Sequence, residues 1–225
     1  MKTIPSRTNQ ISALLLISAV ILSGCASKPP TFQQGSDAEV AFDGLVRVDN
    51  TAFKKVWADP DADLSVYTKI IPIKAEIEFR AVKGSSRRSS KSEYPIDEKD
   101  RIKVIDTIAQ VLREEIGDNK RFVITDKPAS DTLILAVSLL DIVSNVPPEL
   151  IGRGEIFLSR VGEITIVLEL KDSQSGETLL RAAERGVVEP AGNRGMRSNS
   201  VTNMNELRHL ARRWGTKITT GLESL

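Results

Sequence analysis

The sequence predicts an α+β fold: a two-layer sandwich of about five strands, mostly antiparallel or mixed, covered by two amphipathic helices. Three observations predict it. Residues 71–79 and 163–171 alternate apolar and polar side chains with the period of half-buried strands. The stretches after Asp97 and after Asn203 repeat apolar side chains at helical spacing. The run 132–142 is apolar on both faces, as suits a strand in the middle of a sheet. Each helix has one apolar stripe to bury, and an apolar sheet face buries both, in the order β-α-β-β-β-β-α.

Taken from the N-terminus, residues 1–24 read as an export signal. Lys2 and Arg7 make a basic start, and Ile11 to Leu22 form an uncharged apolar run of 12 residues. At 1.5 Å per helical residue that run is too short for a hydrocarbon core of about 30 Å. Leu22, Ser23 and Gly24 precede Cys25 in the pattern of a bacterial lipobox, whose cysteine sulfur receives diacylglycerol. Cys25 is also the one cysteine of the chain, so its lipidation leaves no disulfide, thiol nucleophile or thiolate ligand. Ala26 and Ser27 lack the aspartate of an inner-membrane retention signal, so the expected address is the outer membrane, facing the periplasm. Acyl chains at this cysteine suffice for stable anchoring. Residues 25–37 are then the lipidated cysteine and a proline-bearing tether, and 38–225 a single domain.

After a short apolar segment at 42–48 and the stretch Val56-Trp57-Ala58-Asp59-Pro60, residues 63–67 (DLSVY) look like a turn feeding a strand. In that strand Ile71, Ile73, Ala75, Ile77 and Phe79 share one face, with Lys74, Glu76 and Glu78 on the other; Pro72 marks an edge, a bulge or a strand start. Residues 80–94 lack any period and form a loop. Asp97 caps a helix whose stripe is Ile102, Ile105, Ile108, Ala109, Leu112 and Ile116, ended by Gly117. Residues 122–125 are a short strand. In the run 132–142, Leu133, Leu135, Val137 and Leu139 take one face and Ile134, Ala136, Leu140 and Ile142 the other. Residues 163–171 and 177–188 form a hairpin around Asp172–Gly176. Asn203 caps a last helix with Met204, Leu207, Ala211, Trp214, Ile218 and Leu222 on one face.

Composition narrows the function classes. With 225 residues, 40% hydrophobic and 27% charged, the chain fits one globular domain and excludes collagen, wholesale disorder and a polytopic membrane protein. Aromatics are only 4%, which leaves little surface for stacking bases, so no nucleic acid is expected. Removing the signal takes Lys2 and Arg7 and no acid from 31 basic residues, leaving 29 against 30 acidic ones. No global field draws the mature protein to polyanions.

At residues 63–67 followed by Lys69-Ile70-Ile71, and at 171–179 (KDSQSGETL), the chain resembles a family of bacterial lipoproteins known as domain of unknown function 3313. The resemblance extends to the lipobox and to the tryptophan and Asp-Pro before the first core strand, and covers most of the mature chain. It implies location and fold and no catalytic signature.

Candidate sites are few. His209, the one histidine, falls among arginines on the last helix and reads as a solvated helix residue. No Gly-x-Ser-x-Gly elbow accompanies it. Glu76 and Glu78 could divide acid and base roles, but strand alternation accounts for them. Asp59, Asp61 and Asp63 begin like a calcium loop; Leu64 then stands where glycine is required and Ile70 where the bidentate glutamate belongs. No metal or cofactor is expected. Arg80, Lys83, Arg87, Arg88 and Lys91 place five cations in 12 residues without an acid, a candidate surface for phosphate-bearing headgroups or an acidic protein face. The glycine-rich stretch 191–200, with Arg194 and Arg197, lacks a phosphate-cradling motif. The expectation is a non-enzymatic lipoprotein of the outer membrane that docks an envelope protein. Its alternative is a module binding anionic phospholipid, lipopolysaccharide or glycan through 80–91, and an acid/base hydrolase comes last.

Overall fold

The computed structural model describes residues 28–82, 93–147, 155–190 and 195–225. The signal, the lipobox and Cys25 lie outside these residues, as do Lys83, Arg87, Arg88, Lys91 and Arg194. The chain is α+β, and the sheet is larger than the five strands expected. In chain order the elements are β1 (Thr31–Phe32), β2 (Val46–Asp49), β3 (Lys55–Ala58), β4 (Lys69–Phe79), α1 (Glu98–Gly117), β5 (Val123–Ile124), β6 (Thr132–Ser144), β7 (Phe157–Leu158), β8 (Gly162–Asp172), β9 (Thr178–Val188), β10 (Met196–Arg197) and α2 (Ser200–Glu223). Eight strands form a mixed sheet in the order β1-β2-β3-β9-β8-β6-β4-β5, and β10 pairs separately with β7. The strands absent from the sequence reading, β1, β2, β3, β7 and β10, have two to four residues each, too short for alternation to register. Thr31 and Phe32, expected within the tether, are the outermost of them.

Both helices share one core with a single face of the sheet. On β8, Ile164, Ile166, Leu168 and Leu170 are buried beneath them, and so are Ile108, Val111, Leu112 and Ile116 of α1. From α2 come Leu207, Leu210, Ala211, Trp214, Ile218 and Leu222. β6 runs between β8 and β4 with both faces largely covered, as its two-sided apolar pattern requires. The link β4–α1–β6 returns the chain to a parallel neighbour, so the sheet is mixed, with every other pairing but β4–β5 antiparallel.

Two bulges revise the expected faces. β4 aligns Ile70 with Leu133 and Pro72 with Leu135, slips between Lys74 and Ile77, then aligns Ile77 with Leu139 and Phe79 with Ile142. The core side of β4 is therefore Ile70, Pro72, Ile77 and Phe79. Ile71 and Ile73 face the other way, because one extra residue reverses the parity of everything before it. On β6 the extra residue is at Asp141, whose φ of 54° is the left-handed turn of the bulge; it moves Ile142 onto the core side with Leu139.

The helix ends follow capping chemistry. Asp97 accepts the Asp100 N–H at 2.8 Å, as expected. α2 starts one turn earlier than expected: Asn199 accepts the N–H groups of Val201 and Thr202, and the Thr202 hydroxyl accepts from the Asn199 N–H. Asn203 is instead buried inside the first turn, its side chain bonded to Ser198. Ile102 departs from the expected stripe and is exposed. β5 pairs only with Lys69 and Ile70 of β4, so no described strand lies under that flank of α1. Among the described residues no helix is long and apolar enough to cross a membrane.

Candidate functional site

The two stretches that carry the family resemblance meet in space. Asp63 caps a single 3-10 turn at Leu64–Val66, accepting from the Ser65 N–H at 2.9 Å and its hydroxyl at 2.6 Å. That turn aims Tyr67 at the β8–β9 hairpin, where its hydroxyl donates to Asp172 Oδ2 at 3.0 Å. The other oxygen of Asp172 accepts the backbone N–H groups of Gln174 and Ser175, which closes the loop ahead of Gly176 at φ 74°. The N–H groups of Ser175 and Gln174 hold the Asp172 carboxyl below its ordinary value, while burial and the Asp172 bond push the Tyr67 phenol up to about 12. Each residue keeps its partner in the protonation state that suits the contact, so the motif locks the start of β4 to the hairpin.

The sheet face turned away from the helices carries charge. From the β6 bulge, Asp141 accepts Arg80 Nε at 2.6 Å and Nη2 at 2.5 Å, and also accepts from Arg185 of β9. Arg185 Nε continues to Glu163 Oε2 at 2.6 Å, and Glu163 accepts Arg160 at 2.5 Å; Arg80 reaches Glu93 at 2.5 Å. A second cluster joins Arg181 to Glu169 at 2.8 Å and to Asp43 at 2.7 Å, with Lys171 on Glu169 at 2.9 Å. The Arg80 bonds lower the Asp141 carboxyl. Burial works to raise Glu169, but Lys171 and Arg181 outweigh it. Every carboxyl with a resolved shift (Asp43, Asp63, Asp131, Asp141, Glu169 and Asp172) is lowered, so among them no general acid is poised beside a base.

Arg80, the one expected anion-binding cation within the described residues, is thus engaged with Asp141 and Glu93. Glu76 and Glu78 are exposed on β4. Asp59 accepts the Asp61 N–H at 2.9 Å, and Asp63 its serine, so this triplet closes turns; no metal-holding cluster occurs among the described residues. His209 is exposed on α2, and Arg197 pairs with Glu155 at 3.2 Å. Sequence reasoning passed over the Asp141 network, although an acid inside the run 132–142 is its visible signal.

Two clefts remain. One, of about 360 Å³, lies between α1 and β4 and is lined by Pro72, Lys74, Ile77, Ile105, Ala109 and Leu112 among others. Beyond Ile70, no described strand pairs with the outer side of β4, so main-chain donors and acceptors run beside this apolar cleft. The other, of about 670 Å³, opens where α1 and α2 begin, over Val143, Val161, Val188 and Met204.

Fold and clefts together define an α+β domain with charge on the sheet face turned away from the helices and an apolar cleft beside a strand edge that no described strand covers. The chain belongs to the family described as protein of unknown function DUF3313, matched over residues 34–218. No curated protein matches it. Among solved structures it is similar to a dodecamer of PelC from Paraburkholderia phytofirmans, at 14% identity over 70% of this chain and 94% of that one, with a TM-score of 0.32. It is also similar to a presumed lipoprotein from Caulobacter crescentus, at 13% identity over 72% and 90%, TM-score 0.35. A presumed neuraminyllactose-binding hemagglutinin homolog from Helicobacter pylori follows at 12% identity over 68% and 87%, TM-score 0.36. At such identities and scores these neighbours assign no role.

Proposed function

We propose that this protein is a lipoprotein of the outer membrane, anchored at Cys25, that works without catalysis by docking an envelope protein. The observation that carries the reading is the edge of β4. From Ile71 to Phe79 its outer side has no described strand neighbour, and the apolar cleft under α1 opens directly beside it. Such an edge binds an extended segment through main-chain hydrogen bonds, while the cleft selects the side chains. Pro72 and the exposed Lys74, Glu76 and Glu78, together with the bulge, guard the same edge against indiscriminate pairing. The run of lowered carboxyls weighs against acid/base hydrolysis, and the engagement of Arg80 weighs against the anionic-ligand alternative.

The test is photocrosslinking in intact cells, with a photoreactive amino acid in place of Ile73 and, separately, of His209. A discrete protein adduct at position 73, absent at 209 and lost when Cys25→Ala releases the chain from the membrane, is the expected result. Absence of any protein adduct at position 73, with salt-sensitive capture of lipid or glycan by the same protein, overturns docking in favour of the anionic ligand.

A further inference from the structure

The outermost edge of the sheet, at the opposite end from β4, carries its own apolar side chains. Phe42 is 94% exposed, Val40 57% and Phe32 39%. All three border the outer side of β2. Phe32 lies opposite Val48, Val40 bridges to Val46, and Phe42 follows in the turn that the Ala41 N–H closes onto the Leu45 carbonyl at 2.8 Å. That turn is rigid. The Gly44 N–H returns to the Ala41 carbonyl at 3.0 Å, Gly44 takes a φ of 89° that a side chain would resist, and Asp43 is clamped by Arg181 at 2.7 Å. The guanidinium of Arg181 also covers one face of the Phe42 ring at 5.2 Å, leaving the other face and the tip in water. A fully exposed phenyl held on a fixed turn is an apolar group awaiting a surface.

Its position along the chain says which surface. β1 begins at Thr31, six residues after Cys25, and the span includes Pro29 and Pro30. Six residues reach at most about 20 Å. The structure shortens the tether further, because Asn50 Nδ2 donates to the Pro29 carbonyl at 3.4 Å. An acylated Cys25 therefore holds Thr31 within about 20 Å of the bilayer, and β1 is the strand of the sheet tied to it most directly. We propose that the β1–β2 edge lies on the membrane surface with Phe42 inserted among the lipids. The domain is then oriented rather than swinging, with β4, six strands from β1, facing the periplasm. This inference rests on lipidation of Cys25 from the proposed function, and it commits the edge to lipid.

The test uses the mature full-length lipoprotein. Once Cys25 is acylated, Phe42→Cys supplies the one free thiol for an environment-sensitive fluorophore, and Arg213→Cys on α2 supplies the remote comparison. Both are reconstituted into phosphatidylethanolamine–phosphatidylglycerol vesicles with and without brominated acyl chains. The expected result is a blue shift and a loss of emission to brominated lipid at position 42 and neither at 213. Emission at position 42 that matches 213 in acylated protein overturns the orientation alone. An intact mass lacking acyl chains removes the anchor reading and the orientation with it. Shielding of position 42 in native envelopes but not in pure lipid assigns the edge to a protein and overturns the proposal.

Discussion

Tyr67 and Asp172 show how a family motif can be structural at the level of single atoms. Tyr67→Phe removes one hydrogen bond to an ionised acceptor, and the expected loss is about 1 kcal/mol in chemical denaturation. The same substitution has a signature in pH. Because the phenol is pushed from 10.0 to about 12 in the folded protein, the unfolded chain loses this proton first. Stability from this group is complete below pH 10 and declines as pH rises towards 12, and Tyr67→Phe is expected to flatten that alkaline decline. Glycines make a second case. A Cβ on Gly186 would meet Trp214 Cζ2 at 2.5 Å and Leu210 Cδ1 at 2.6 Å, both in the fully buried contact between β9 and α2. Gly186→Ala is expected to cost about 1–3 kcal/mol by overpacking. Gly117, the last residue of α1, has nothing within 4 Å of the added carbon, and Gly117→Ala is expected to stabilise by roughly 0.5–1 kcal/mol. Thermal unfolding of the pair gives shifts of opposite sign.

Elements were legible where a period ran long enough to outvote exceptions. The α1 stripe, the apolar run of β6 and the β8–β9 hairpin are all stated by spacing alone. Faces were legible only up to a bulge. Ile71 and Ile73 alternate faultlessly with Ile77 and Phe79, and nothing in that pattern announces the extra residue that puts them on opposite sides. Asp141 is the exception that left a trace, since an acid in an apolar run needs partners that sequence spacing cannot supply; Arg80 and Arg185 come from 61 and 44 residues away. The α2 cap was misplaced by one turn because Asn199 and Asn203 are the same residue type one turn apart, and only the side-chain geometry distinguishes cap from core. Asn199→Ala is accordingly expected to cost about 1 kcal/mol and to fray the first turn, read as lost amide protection at Val201 and Thr202. The β4 edge without a described strand neighbour, which carries the proposed docking, was foreshadowed only by Pro72.

At the scale of the molecule, charge on the bare sheet face sets the response to acid. Asp43, Asp141, Asp172 and Glu169 all bind protons less readily folded than unfolded. Their contributions are therefore complete above the ordinary values of 3.8 and 4.5 and are lost as pH falls through the lower folded ones. Unfolding free energy is expected to be level from about pH 5 to about pH 9 and to fall below about pH 4, with Asp141→Asn giving a shallower acid limb and a cost of about 1 kcal/mol at neutrality. The strand order also dictates a history. β3 pairs Lys55 with Ala183 and Ala58 with Leu180, so its place in the sheet does not exist until β9 has been delivered, more than 120 residues later. With the proposed export from the N-terminus, β1, β2 and β3 emerge first and join the rest of the sheet last, which makes assembly slow by topology alone. Under the proposed lipidation of Cys25, the anchored end is thus already at the membrane while β3, paired on one side with β2, waits for the far end of the polypeptide to arrive.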